Sequence, residues 1–235
     1  MVNEPAPGDD LEAVVRRTDL DRWLASRFIA DPAARADVLT LYAFDHELAR
    51  ATRVASNRLI AEIRLTWWAE VLDEAYSGAL VRAHPVAQGL AATVRRRRLP
   101  REPLEAMIDA RIEGLDRAIF DAAAAMRWAD GVGGSAAVLA ATILDPDAPA
   151  EAAAPAGRLW GVVLLSRLKV IKTGLLAERI RSGLPQARRA ASRLGVAAFP
   201  AVAHVSLVRG MARTRDEPLL IRQSRLLWAV ATGRL

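Results

Sequence analysis

The chain contains no cysteine among its 235 residues. Disulfides, thiol nucleophiles and cysteine-ligated metals are excluded. Lysine is nearly missing as well. It occurs only at Lys169 and Lys172, so arginine carries almost all of the positive charge. Histidine occurs only at His46, His84 and His204, with no HxH or HxxxH spacing, and a histidine metal site has little support. No charge-free apolar run approaches the roughly 18 residues that a membrane-spanning helix needs. The N-terminal stretch MVNEPAPGDDLEAVV is acidic and lacks the basic and apolar regions of a secretory signal. The expected setting is the cytoplasm, with peripheral attachment to the inner membrane as a second option. Alternating strand patterns are missing too. Gly131, Gly133 and Gly134 are not followed by Lys-Ser/Thr and make no phosphate loop.

What is present is helical periodicity. Apolar residues recur at helical spacing from Leu39 to Ala51 and again from Leu59 to Leu72, on either side of a polar break at Ser56-Asn57. Asp31-Pro32 reads as an N-cap followed by proline at the first helical position, and Gly78 as a C-terminal stop. These signals predict helices over 31–54 and 56–77. Further helices are expected over 11–29 (with a break near 16–19), 85–98, 100–125, 135–144, 158–181, after Pro185, over 198–213 and over 219–232. Residues 1–10 are expected to be disordered. The fold class is all-α: one domain over residues 1–235, with 31–54, 56–77 and 158–181 lining a common core.

The run Arg35 to Phe44 reads R-x-x-x-L-x-x-L-Y-A-F. Together with Glu62-Ile63-Arg64-Leu65, Trp67-Trp68 and His84-Pro85-Val86-Ala87-Gln88, it resembles the squalene/phytoene synthase family. The nearer resemblance is to a divergent branch of that family that includes a mitochondrial complex I assembly factor. The resemblance implies a helical bundle of the isoprenoid synthase type with a central cavity. Active members ionise an allylic prenyl diphosphate and join two such units head to head. They use magnesium held by two Asp-rich motifs on facing helices. Mg²⁺ needs hard oxygen ligands bridging carboxylates and phosphate oxygens.

Neither motif is present. After the Tyr-Ala-Phe run, the family's aspartate positions read Ala49, Arg50 and Arg53. Asp45 and Glu47 lie close by but project about 200° apart on a helix, which is no single ligand face. No acid occurs between Glu151 and Glu178, and the acid expected just before Leu115 is Gly114. Glu105, Asp109, Glu113 and Asp116 share a helix face that reads as a solvated stripe, with Glu113 paired to Arg117. Glu70, Asp73 and Glu74 read as solvent-facing, and Asp145 and Asp147 as turn residues. No metal site and no cofactor are therefore expected, with magnesium needed only if catalysis survives on unusual ligands.

The candidate anion- or diphosphate-binding residues are His46, Arg50, Arg53, Lys169 and Lys172. His46, Arg50 and Arg53 share one helix face, and arginine can bind phosphate in a bidentate fork. The same face can equally be an ordinary hydrogen-bonded or solvated one. Candidate cavity residues are Tyr42, Phe44, Trp67, Trp68 and Trp160; of the Trp pair, one is expected in the core and the other at an edge. The net charge of +6 suits an anionic lipid or diphosphate partner, or reflects a compositional bias toward Arg and Ala. Nucleic acid is not expected, because the basic residues are scattered. Two functional readings remain open. One is a non-catalytic lipid-related binding or assembly factor, with a prenyl or lipid ligand and a protein partner. The other is an active prenyl transferase with altered metal ligands.

Overall fold

The computed structural model describes residues 11–116, 121–171, 173–211 and 217–235. The expected disorder of residues 1–10 and the candidate Lys172 fall outside them. Among the described residues every element is helical. Helices α1 (Leu11–Thr18) and α2 (Leu20–Ser26) are split at Asp19, whose carboxylate caps α2 by accepting from the Arg22 amide. The long hairpin is α3 (Pro32–Arg53) and α4 (Arg58–Ser77). Asp31 caps α3 through the Ala33 amide and Asn57 caps α4 through the Ile60 amide. Gly78 ends α4 at φ 77°, a left-handed conformation that favours glycine. Next come α5 (Pro85–Arg97), α6 (Arg101–Glu113), α7 (Ala122–Ala129) and α8 (Ser135–Leu144), then α9 (Ala154–Arg167), α10 (Thr173–Ala191), α11 (Val208–Met211) and α12 (Leu219–Thr232).

One contiguous apolar core draws on α3, α4 and α9 together, with Leu41, Phe44 and Leu48, then Leu65 and Leu72, then Trp160 and Leu165 among its buried side chains. A second buried link ties α3 to α5. Asp37, 1% exposed, accepts from Thr93 Oγ1 and from the Arg97 guanidinium at 2.7 Å, and Arg96 also binds it. Burial alone would raise the Asp37 carboxyl, but the hydrogen bonds from Arg96, Arg97 and Thr93 outweigh it and hold it below the ordinary range.

The structure departs from five of the sequence expectations. The helix expected over 100–125 stops at Glu113, with Gly114 at its C-cap. The glycines at 131–134 do not interrupt the chain; Asp130–Gly134 is a π-helical turn joining α7 to α8. Its glycines serve close packing instead. A Cβ on Gly133 would lie 2.1 Å from the Gly157 carbonyl oxygen of α9. The helix expected over 158–181 is two helices. α9 ends in a turn in which the Val170 amide donates to the Leu165 carbonyl and Lys169 takes φ 59°. Pro185 does not begin a helix but lies inside α10, where buried Leu184 and Ala187 anchor both sides of it. Over 198–213 the described residues form short 3₁₀ turns, Phe199–Ala201 and Ala203–Leu207, followed by α11. Among the described residues no helix is long and apolar enough to cross a membrane.

Candidate functional site

Helices α2, α3, α6 and α9 enclose a small cavity of about 180 Å³. Its described lining holds four guanidiniums, from Arg22, Arg53, Arg111 and Arg167, against the carboxylates of Asp19 and Asp45. The α3 wall adds Tyr42, His46, Ala49 and Thr52. Across Thr52, Arg53, Arg111 and Leu168 it adjoins a larger space of about 600 Å³, walled by Leu115, Trp128, Leu165 and Val170 with Lys169. Leu165 and Val170 in turn border a third space of about 180 Å³ lined by Met126, Val162, Ile171 and Leu175. The middle space is mixed, with Arg53, Asn57 and Arg58 also in its wall, and the third is mainly apolar, with Asp121 and Arg179 also in its lining.

Asp45 is the centre of the polar end. It projects inward from α3, 5% exposed, and accepts from Arg22 Nη1 at 2.6 Å and Arg111 Nη2 at 2.8 Å. Burial pushes its carboxyl up, but the Arg111 and Arg22 charges outweigh that and hold it below the usual range. Burial works against the Arg22 guanidinium in the same way and is outweighed by Asp45 and Asp19, so Arg22 stays charged. Asp19, 3.7 Å from Arg22 Nε, is the opposite case: burial dominates and raises its carboxyl. Behind this layer Asp21 accepts from Arg167 at 3.0 Å and Arg222 at 3.1 Å. Arg22 lies over the Tyr42 ring at 4.8 Å, and burial pushes the Tyr42 hydroxyl up to about 12. The Nε atoms of Arg22 and Arg111 are buried without a hydrogen-bond partner, so the two guanidiniums keep donor capacity that the protein does not use.

The structure brings together some of the predicted site residues and separates others. His46 and Arg53 line the cavity, and Lys169 borders the larger space beside Arg53. The His46 imidazole is pushed down by burial, with Arg53 and Arg50 adding to the effect against Glu47 and Asp45, and is neutral at neutral pH. Arg50 is turned aside and donates to Glu47 at 3.2 Å. Tyr42 reaches the cavity wall. Phe44, Trp67 and Trp68 instead stack edge to face between α3 and α4, with His84 against both tryptophans. Trp68 is buried and Trp67 lies at the edge. Trp160 is fully buried behind the cavity, its ring 4.8 Å from that of His204, with Arg167 over it at 5.0 Å. Burial, reinforced by Arg22 and Arg167, lowers His204 well below its ordinary value.

Gly114 stands where an acid was expected, and a Cβ there would come 2.8 Å from Trp128 Nε1. The indole edge occupies the space a longer side chain would need. Three acids of the expected stripe form surface pairs, Glu105 with Arg101, Glu113 with Arg127 and, beyond the end of α6, Asp116 with Arg58, and Asp109 is exposed. Arg127 thus takes Glu113; the expected partner Arg117 lies outside the described residues. Among the described residues no group of three or more His, Asp or Glu side chains is placed to hold a metal ion.

Arg22, Arg111, Arg167, Asp19 and Asp21 were not among the residues singled out by the sequence. Arg22 and Arg111 each interrupt an apolar helix face, which is the one local signal they give. Their partners lie 23 and 66 residues away.

Comparison with curated proteins gave no significant match. A crystal structure of a dehydrosqualene synthase in complex with ligand is similar over 94% of both chains, with a TM-score of 0.67 at 14% identity, a likeness of fold. The family profile of squalene/phytoene synthase matches residues 15–191, from α1 to the last residue of α10. That stretch contains the Tyr-Ala-Phe run, the hairpin and all four helices of the guanidinium cavity, and the chain belongs to the squalene/phytoene synthase family.

Proposed function

We propose that this protein is a non-catalytic member of its family that binds an anionic, apolar-tailed lipid, such as a prenyl phosphate, without a metal ion. The carrying observation is the clamp on Asp45. The cavity carboxylate that α3 contributes is already neutralised by Arg22 and Arg111 at hydrogen-bond distance. A dication would have to displace a guanidinium to reach it, in a wall that holds four of them. The donor set does not suit Mg²⁺, which needs several free carboxylate or phosphate oxygens. It suits a phosphate directly, because arginine presents paired donors to phosphate oxygens. Arg53, exposed at the cavity wall, supplies such donors. The mainly apolar space walled by Val162, Leu165, Ile171 and Leu175 gives a tail its place. The resemblance to the assembly-factor branch supports a role in which this ligand, or a protein partner, is bound rather than converted.

The test is binding of farnesyl monophosphate and pyrophosphate by calorimetry, with Mg²⁺ and with chelator. Equal binding in both conditions, weakened about tenfold or more in Arg53→Ala/Arg167→Ala, is the expected result. Product formed from farnesyl or geranylgeranyl diphosphate with Mg²⁺, and lost on chelation, overturns the proposal in favour of an active transferase.

A further inference from the structure

Helix α12 buries Leu226 and Ala229 and turns its opposite side to solvent. At 100° per residue, Leu227, Leu220, Ala231, Ser224, Trp228 and Ile221 fill one contiguous arc of about 120°. Five of these six are apolar. Leu220 is 78% exposed, Leu227 60% and Trp228 55%. Elsewhere the large exposed apolar side chains are spread over several elements; here they are consecutive around one helix. A contiguous apolar face on water marks a surface that something covers.

The neighbouring charges identify what. A shallow cavity of about 410 Å³ beside the arc is lined by Arg188, Arg209, Arg225, Ser206, Ser224, Trp228 and Leu235. The Ser206 hydroxyl oxygen is buried and lacks a hydrogen-bond partner. Arg188 donates from Nε to the Leu235 oxygen at 2.6 Å, and it lies close enough to Arg209 that, after burial, the Arg209 charge also lowers its pKa. Arg225 is offset by Glu217 at 2.9 Å, and Arg222 faces inward to Asp21. From Leu219 to Leu235 the chain has three arginines and no acid. The rim of the apolar face is cationic.

We propose that α12 is a docking face for an anionic membrane surface. Leu220, Leu227 and Trp228 enter the boundary between headgroups and acyl chains, and Arg209, beside Arg188, meets lipid phosphate. Tryptophan and leucine on one face, bordered by arginine, is the pattern of a helix that lies in that boundary. A second copy of the chain would set two cationic rims against each other, whereas an anionic bilayer complements them. The face is made by α10, α11 and α12, apart from the guanidinium cavity, and does not depend on what that cavity binds.

The experiment is flotation of the full chain with vesicles of phosphatidylcholine alone and with about one third phosphatidylglycerol. Binding to the anionic vesicles is expected to be about tenfold or more tighter and to weaken with salt. Leu220→Gln/Leu227→Gln/Trp228→Gln is expected to reduce it about tenfold or more, and Arg209→Glu to reduce the preference for the anionic lipid about fivefold or more. Leu220→Gln alone, at the most exposed of these positions, is the second variant and is expected to weaken flotation in the same direction, with an unchanged thermal melt. Equal flotation of the wild type and both apolar variants overturns the proposal. So does failure to float with either vesicle. A concentration-dependent dimer in sedimentation velocity that the triple variant abolishes assigns the face to a second copy and overturns it too.

Discussion

The ion pairs under the guanidinium cavity and those along the outer edges of α4 and α6 use the same side chains at the same distances. Arg22 and Arg111 hold Asp45 at 2.6 and 2.8 Å, with side chains 3, 6 and 7% exposed. On the surface Arg101 holds Asp73 and Glu105 at 2.5 and 2.7 Å, with exposures of 40, 64 and 42%. Distance does not rank these pairs; burial does. The buried carboxylate has traded its water for two guanidiniums and has no substitute if they go. The surface groups give up little solvation and gain little. In this chain the buried set lines the cavity, so under the proposed function the same residues bear on both stability and binding.

The largest test of that contrast is Asp45→Ala. It leaves Arg111 without its carboxylate and Arg22 with only Asp19 at 3.7 Å, which costs about 3–5 kcal/mol, read as a fall in the urea midpoint. A smaller loss would mean that water reaches the pair. Arg22→Met/Asp45→Leu/Arg111→Met separates stability from binding. Removing all three charges together avoids the orphaned ion, and stability within about 2 kcal/mol of wild type is expected. Phosphate binding should nevertheless be lost. Retained binding would locate the anion site at Arg53 and Lys169 alone.

Acid titration follows next. The Asp45 carboxyl is depressed in the folded state, by Arg111 and Arg22 against the opposing effect of burial. A depressed acid stabilises above its unfolded pKa of about 3.9, and the stabilisation is lost as pH falls below that through the folded value. Asp37 acts in the same direction. Asp19 acts in the opposite one. Its raised carboxyl favours the protonated form, so its contribution is greatest at low pH and fades as pH rises through the folded value. Equilibrium unfolding should show stability falling below pH 4, and Asp45→Asn should flatten that fall. An unchanged profile would assign the acid sensitivity to Asp37.

The sequence made the helices legible where the signal is local. Asp31, Asn57 and Gly78 bound the hairpin because capping is a matter of one side chain and its neighbouring amides. The breaks at Gly114 and Lys169 were missed for the opposite reason. Gly114 yields to the Trp128 indole from another helix, and Lys169 takes a left-handed conformation that a lysine sequence does not announce. The site divides the same way. The missing aspartates at Ala49, Arg50 and Arg53 could be read by position along one helix. That Arg50 would pair with Glu47 was within reach of local spacing. That Arg22 and Arg111 would meet on Asp45 was not, since the pairing exists only once α2, α3 and α6 have packed.

The smallest expected effect closes the comparison. Arg101→Ala removes a guanidinium that bridges α4 and α6 by way of Asp73 and Glu105. Two partners and short distances would suggest a strong clamp if contacts were counted. All three groups face solvent, however, and the freed carboxylates recover their water at once. Holding a long arginine side chain in one conformation also costs entropy that the loss returns. The urea midpoint in Arg101→Ala should match wild type within error, and salt should not widen any gap, since screening weakens only what exposed pairs contribute. A midpoint that falls as far as that of Asp45→Ala would show that bridging two helices matters more than burial, and would remove the physical basis for treating the Arg22–Asp45–Arg111 cluster as the distinctive part of this molecule.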